Sequence, residues 1–186
     1  LAAEQRFGES AEAYGDIVAV ETDSAALRAE YGQALIRSGE LERGVEELKA
    51  AIELEPENPR HHLRLAVSQL AAGDAPAARE AVAAFRARFP DSPQADLMLA
   101  QIELAERDLV GAEEFLNAAL DVEPGNPEAR RGRAGLAMLE SNQDGAADLL
   151  SADLDADDPD LRNLLALAGV EERRGDREAL EKVLRR

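Results

Sequence analysis

The sequence repeats a short proline-containing segment at almost constant spacing, and this repeat constrains the fold more than any other feature. The leading prolines lie 34, 34 and 35 residues apart, at Pro56, Pro90, Pro124 and Pro159. A period of this length indicates a stack of small supersecondary units, each of which buries its apolar face only against its neighbours. The chain is therefore predicted to be a linear array of repeats and not a domain around one central core.

Within each period, the residue pattern predicts two helices joined by a short turn. Small residues recur at two fixed places ahead of the prolines, and small side chains there let two helices approach closely. The first set is Gly32, Ala66 and Ala100, and the second is Gly44, Ala78, Ala112 and Ala147. A polar break between the sets combines a residue that can end a helix with an acid that can start the next. These breaks are Gly39-Glu40, Gly73-Asp74, Arg107-Asp108 and Gly175-Asp176.

This pattern resembles the tetratricopeptide repeat, in which each repeat of about 34 residues consists of two antiparallel helices. The resemblance implies an all-α fold, a right-handed superhelical α-solenoid of about five helix-turn-helix repeats. It divides a single repeat domain, residues 1–186, into a partial repeat 1–24, regular repeats 25–58, 59–92 and 93–126, an irregular repeat 127–160 and a partial repeat 161–186. Three residues depart from the family pattern, which has a bulky apolar residue at their position: Arg28, His62 and Asp96.

The ends and the fourth repeat are expected to be irregular. Residues 7–21 are predicted to be the second helix of a unit whose first helix is reduced to the opening residues. In the fourth repeat, Gly132 and Gly135 weaken the first helix, and residues 141–144 replace the Gly-acid turn with a register changed by one residue. At the other end, no following repeat covers Leu180, Val183 and Leu184, which predicts poorly protected termini or end-to-end self-association.

Composition excludes several classes of function. The formal net charge of −18 opposes binding to nucleic acid and to anionic lipid surfaces. No apolar run is long enough for membrane insertion, and the absence of cysteine excludes disulfides and thiolate nucleophiles. The chain begins at Leu1 within a helical pattern, which predicts a mature fragment without its targeting segment or companion domain. Arginine predominates over lysine, which is typical of a GC-rich genome. We expect a soluble bacterial protein, and the sequence does not decide between cytoplasm and periplasm.

The resemblance also implies that the first helices of the repeats line a concave inner face. The residues expected there are aliphatic side chains interspersed with arginines: Arg37, Arg60, Leu63, Arg64, Val67, Leu70, Leu97, Gln101, Leu104, Arg131, Met138 and Arg162, together with Ile36, Met98 and Leu165. Arginine holds a carboxylate with two parallel hydrogen bonds, so this surface predicts a groove for a protein or peptide partner that carries acidic groups. The alternative is that these arginines are solvated or paired with acids of adjacent helices.

Three other residue patterns predict no metal site, cofactor or catalysis. His61 and His62 are adjacent and so do not share a helix face, which favours an exposed pair over a metal site. The spaced acids Asp153, Asp155 and Asp157 resemble a calcium loop but lack its glycine and its closing glutamate. The chain has no nucleophile–histidine–acid series, glycine-rich phosphate loop or zinc motif, so no catalytic residue is assigned.

The function predicted from the sequence is a non-enzymatic scaffold or adaptor that binds a partner peptide or helix in the concave groove. Two alternatives stay open. The first is a docking or regulatory segment of a larger bacterial enzyme or of a secretion or export assembly. The second is a self-associating repeat module.

Overall fold

The computed structural model of the protein describes residues 2–154 and 156–186, with the side chains of these ranges except those of residues 2–5 and 153. The described residues form eleven α-helices, one short 3₁₀ turn at Ala152–Leu154 and no strand, which confirms the all-α fold. The helices are α1 Ala2–Val20, α2 Ala25–Arg37, α3 Leu41–Leu54, α4 Pro59–Ala71, α5 Ala75–Arg88, α6 Gln94–Ala105, α7 Leu109–Val122, α8 Pro127–Leu139, α9 Gln143–Ser151, α10 Leu161–Arg174 and α11 Arg177–Leu184. Within the described residues, no helix combines the length and the apolar composition that crossing a bilayer requires.

The helices form two compact units, Leu1–Met98 and Leu99–Arg186. In the first unit, each helix from α1 to α4 packs against the next one along the chain, and α2 also packs against α4. In the second unit, each helix from α7 to α10 packs against the next, and α8 also packs against α10. Contact with both the next helix and the next but one is the pattern expected of stacked helical hairpins.

The five turns that join the two helices of a hairpin share one conformation. Their central residue has a positive φ, and these residues recur at one constant spacing along the chain: Gly39, Gly73, Arg107, Ser141 and Gly175. The backbone N–H of the following residue donates to a carbonyl five residues back, at 2.8–3.1 Å, which closes the first helix as a Schellman motif. In the last four turns, the side chain of that same residue also caps the second helix, by accepting from the backbone N–H three residues on at 2.9–3.0 Å.

The fourth hairpin turn keeps this register, so the predicted change by one residue is wrong at this point. Ser141 adopts the positive φ of 63° in the place that glycine takes in three of the other turns. Asn142 replaces the acid, and its Oδ1 accepts from the Gly145 N–H at 2.9 Å. The sequence pattern did not indicate this turn because Ser141-Asn142 has neither the glycine nor the acid of the other breaks. The turn depends instead on its hydrogen bonds and on the two helices it joins.

Small residues allow the two helices of a hairpin to cross closely, as predicted. A Cβ atom on Gly32 would lie 2.7 Å from the Gly44 carbonyl oxygen, and one on Gly44 would lie 2.6 Å from the Gly32 carbonyl oxygen. The alanines of the same two sets are all buried: Ala66, Ala78, Ala100, Ala112 and Ala147. Gly132 has a similar packing role, because a Cβ there would lie 2.7 Å from a methyl carbon of Leu116.

The helices at both ends of the chain pack differently in part from what the sequence predicts. The helix α1 runs from Ala2 to Val20 without a break and packs against α2, so the opening residues belong to this helix and not to the remnant of another. At the other end, Val183 is buried in a cluster with Leu150, Leu167 and Val170, because α11 turns its apolar side towards α10. Leu184 alone of the three predicted apolar residues is exposed.

The residues that replace the bulky apolar side chain of the family pattern interact with the neighbouring helix. Arg28 Nη1 lies 2.8 Å from Glu47 Oε2 of α3, and Asp96 forms an ion pair with Arg86 of α5. The His62 ring lies edge-on to Phe89, with centroids 5.8 Å apart. Polar and aromatic contacts therefore occupy the place of an apolar one.

Both histidines are buried, which contradicts the predicted exposed pair. His62 Nε2 lies 2.9 Å from the Pro56 carbonyl oxygen, and His61 Nε2 lies 3.0 Å from Glu55 Oε2, because the first turn of α4 folds back over the loop that precedes it. Asn58 Nδ2 donates to the same Glu55 oxygen, and these hydrogen bonds, that of Asn58 first, lower the pKa of Glu55.

Within the described part of the chain, no three potential ligands come together at a metal site. Asp155 and the Asp153 side chain, on which the calcium-loop interpretation rests, lie outside it.

The N-cap of α10 is charged. Asp160 accepts from the backbone N–H groups of Arg162 at 2.8 Å and Asn163 at 3.1 Å, and Arg131 Nη1 lies 3.5 Å from its carboxylate. Burial opposes ionisation of this group, but the two backbone hydrogen bonds and the charges of Arg162 and Arg131 outweigh it and lower the pKa of Asp160. The ionised carboxylate therefore stabilises the start of α10.

Replacing Ser141 or Arg107 by glycine should raise the free energy of unfolding by about 0.5–1 kcal/mol. A positive φ costs an L-residue roughly 1–2 kcal/mol, and the greater freedom of glycine in the unfolded chain offsets about half of that gain. Gly73→Ala should have the opposite effect, and urea denaturation measures all three. The exposed helical variant Ala84→Gly is the control, and it should lose about 1 kcal/mol. Stabilisation by glycine at position 84 as well would contradict the explanation.

Replacing Asp160 by asparagine should destabilise the protein at neutral pH and have less effect in acid. The folded-state pKa of Asp160 lies below its unfolded value of about 3.9, so its contribution is complete above that value and is lost as the pH falls through the folded-state pKa. Urea midpoints of both proteins, measured from pH 7 down to pH 3, should differ by a constant amount near neutral pH and approach each other below about pH 4. A difference that stays constant over this range would show that the charge has no role.

Candidate interaction groove in the second unit

A groove of about 330 Å³ lies between α8 and α10 in the second unit. We call it the α8–α10 groove, and its principal lining residues are Arg131, Gly135 and Met138 of α8 and Leu165, Gly169 and Arg173 of α10. Within each helix these residues are three or four positions apart, so they share one face. Leu165 and Gly169 follow Arg131 and Gly135 by one repeat length, so the groove is built from equivalent positions of two consecutive repeats.

The bottom and one wall of the groove are apolar. Leu150 and Val170 line it and are themselves buried in the core beneath. Leu165 is 73% exposed, which leaves most of a leucine side chain in contact with water. Covering such a side chain with a partner would be worth up to about 1.5–3 kcal/mol.

Glycine occupies the middle of both helices at the groove. Gly135 and Gly169 are exposed, and a Cβ atom on either would meet no atom within 4 Å. Each costs its helix about 1 kcal/mol relative to alanine. The helices form nevertheless, because other positions on them bury Leu136, Leu164 and Leu167 in the core.

Two arginines flank the groove, and they differ in their hydrogen bonds and exposure. Arg131, in the second turn of α8, donates from Nη1 to Asn163 Oδ1 at 2.8 Å. Asn163 is buried and donates in turn to the Pro127 carbonyl oxygen at 3.0 Å, so Arg131 is held by a fixed amide. Arg173, in the last turn of α10, is exposed and has no hydrogen-bond or ion-pair partner among the described residues. It is the cation at this groove that is free to bind a carboxylate.

The residues predicted for the inner face of the first unit have different environments. Leu97 is only 5% exposed, and Met98 is buried as well, so neither offers a surface to a partner. An apolar residue on the first helix of a repeat can face either the core or the groove. The sequence pattern did not distinguish these two positions, and the structure places both residues in the core. Arg60 and Val67 are exposed, whereas Leu63 and Leu70 are half-buried.

Most of the predicted arginines interact with their own chain. Arg64 Nη1 lies 2.8 Å from Glu30 Oε1 of α2, and Arg37 lies over the ring of Phe7 at 5.5 Å from its centroid. In the second unit, Arg162 lies 3.5 Å from Asp160 and Gln101 donates to Glu128 at 3.0 Å. Leu104 is exposed.

Only part of the groove was predicted from the sequence. Arg131, Met138 and Leu165 were placed on the inner face, and all three line the groove. Arg173 and the role of the two glycines were missed. The signal for the glycines was present, since Gly135 and Gly169 are one repeat length apart within predicted helices.

Sequence comparison identifies the repeat. The profile of the tetratricopeptide repeat family matches residues 1–59, 32–84 and 63–127. No curated protein matches the sequence.

Solved structures share the fold at low sequence identity. The chain is 23% identical to a thermophilic tetratricopeptide repeat protein of Thermus thermophilus, with a TM-score of 0.62 over 87% of each chain. It is 19% identical to yeast Tom70, with a TM-score of 0.77 over 94% of this chain and 38% of that one. It is 12% identical to a chain of the APC/C hetero-tetramer Cut9-Hcn1, with a TM-score of 0.67 over 98% of this chain and 36% of that one. This chain thus spans little more than a third of the last two proteins. Because the family profile covers more than half of its residues, the chain belongs to the tetratricopeptide repeat family.

Proposed function

We propose that this protein is a non-enzymatic interaction module that binds a segment of a partner protein in the α8–α10 groove. The tetratricopeptide repeat family generally consists of interaction scaffolds. The observation that carries the proposal is the combination of the exposed Leu165 with an open groove over buried Leu150 and Val170. An apolar cleft of this kind is the usual form of a peptide-binding site.

The charge of the groove favours an acidic partner. The chain carries a formal net charge of −18, yet the groove is flanked by Arg131 and Arg173. Arg131 is paired with Asp160, so a segment with carboxylates would find its main cation in Arg173. It would be repelled from most other surfaces of the chain. A basic segment would bind the remaining surface instead.

The two other functions fit less well or overlap with this one. End-to-end self-association through α11 has little support, since Val183 is buried within its own unit. A docking segment of a larger enzyme or export assembly would use the same groove. The matching Tom70 and Cut9-Hcn1 chains are themselves longer than this chain. This alternative therefore differs from the proposal in the assembly to which the groove belongs and not in the surface that binds.

Replacing Leu165 by serine should weaken binding of the natural partner by roughly tenfold or more, because a buried leucine contributes about 1.5–3 kcal/mol. Leu161→Ser is the matched control, since Leu161 lies one turn earlier on α10, is 70% exposed and does not line the groove. Both variants should fold normally. The measurement is the affinity of purified partner, first isolated from a lysate of the source organism, for the three proteins.

Equal loss of affinity in the two variants would show that the exposed side of α10 binds the partner and the groove does not. An unchanged affinity in both would exclude this groove as the binding surface. A mass that rises with protein concentration and is abolished by Leu165→Ser would instead assign the groove to a second copy of the chain.

A further inference from the structure

We propose that the partner segment inserts one large apolar side chain, preferably Phe, between Gly135 and Gly169, with carboxylates next to it in the partner sequence. This inference rests on the proposed function, since it specifies the occupant of the α8–α10 groove. It assigns to the two glycines the role of making room for that side chain.

The fold itself gives no reason for glycine at these positions. Neither residue has a positive φ, and a Cβ atom at either would meet nothing within 4 Å. The other glycines of the hairpin helices include several that do have such a reason. Gly32, Gly44 and Gly132 each lie against a neighbouring helix at a distance that excludes a Cβ atom. Alanine at positions 135 and 169 would therefore stabilise both helices and disturb no contact within the chain.

The groove is open between the two helices because neither Gly135 nor Gly169 has a side chain. With glycine at equivalent places on α8 and α10, both helices expose backbone to the groove between Leu165 and Met138. The bottom is made of the buried apolar residues Leu150 and Val170, which offer no hydrogen bond. A polar side chain in this position would lose its water without compensation, whereas an apolar one gains contacts.

The size of the space favours a single large side chain. A groove of about 330 Å³ lies at the lower end of the range of ligand pockets, so it holds a short part of a partner and not a long helix face. An aromatic ring can pack flat on exposed helix backbone and also contact Leu165 and Met138.

The charges on either side specify the flanking residues. Arg173 is free to form a bidentate pair with a partner carboxylate. Arg131 Nη1 is held by Asn163 and lies 3.5 Å from the Asp160 carboxylate, so only Nε and Nη2 remain for a second and weaker contact. The expected motif is therefore one Phe with Glu or Asp on both sides.

Backbone NMR with a synthetic peptide tests the site directly. The probe is a blocked peptide with one Phe between two pairs of Glu, and the controls carry Ala in place of Phe or Lys in place of Glu. Glycine amides occupy a separate region of the nitrogen spectrum, so Gly135 and Gly169 can be followed in a 20.0 kDa protein. We expect the largest shifts at these two amides, and affinity at least about tenfold higher than for the Ala peptide. Shifts elsewhere, or equal affinity for both peptides, would overturn the inference.

Filling the groove tests the role of the glycines. The double variant with Gly135→Ala and Gly169→Ala should unfold at a higher temperature than the wild type, yet bind the Phe peptide at least about tenfold more weakly. Gly8→Ala is the matched control, because Gly8 is also helical with nothing within 4 Å of a Cβ atom but lies in α1. It should gain stability and leave binding unchanged. Unaltered binding in the double variant would refute the inference.

The charge contribution is measured by Arg173→Glu, which should weaken binding of the Glu peptide and strengthen binding of the Lys peptide. Arg177→Glu makes the same charge change outside the groove and should do neither. If Leu165→Ser weakens the natural partner while these glycine and arginine variants do not, the proposed function stands and the Phe insertion is wrong. If Leu165→Ser has no effect on the partner, the proposed function fails by itself.

Discussion

A short turn with one conserved geometry along the chain determines where each second helix can begin. In every hairpin, the same residue closes the first helix through its backbone N–H, and in four of five it caps the second helix with its side chain. One residue therefore satisfies donors and acceptors at two helix ends, which leaves the turn little freedom in length. Because this turn recurs at a constant spacing of one repeat length, the small residues of the two helices face each other in each hairpin. At Gly32 and Gly44, the helices are so close that neither position has room for a side chain.

The electrostatic contacts depend on this packing and do not create it. Ion pairs such as Arg28 with Glu47 and Arg64 with Glu30 join adjacent helices at partly exposed positions. Pairs of this kind contribute about 0–1 kcal/mol, too little to position a helix. They do decide which cations remain available to a partner. In a chain with 39 acidic and 21 basic residues, most arginines near a neighbouring helix find an acid, so a free arginine such as Arg173 is informative.

The sequence predicted what depends on local spacing and missed what depends on neighbours in space. The period, the hairpins and the small residues at the crossings all follow from positions along the chain. The burial of His61 and His62 does not, because it results from a loop that folds back over the first turn of α4. Leu97 was misplaced for a related reason, since an apolar residue on a first helix fits both the core and a groove. Arg131 was expected on the inner face and lines the α8–α10 groove, but its partner Asn163 belongs to the next repeat and could not be identified from the helix pattern.

Helix stability and binding make opposite demands at Gly135 and Gly169. Other features of these two helices favour stability, including Asn126 and Asp160 as N-caps and a buried aliphatic face. Glycine in the middle of each helix contradicts this local consistency, and such contradictions in natural proteins concentrate at functional sites. At Gly32 and Gly132, a neighbouring helix of the same chain occupies the space that a side chain would take. At Gly135 and Gly169 the space is open, and in the proposed complex a side chain of the partner fills it.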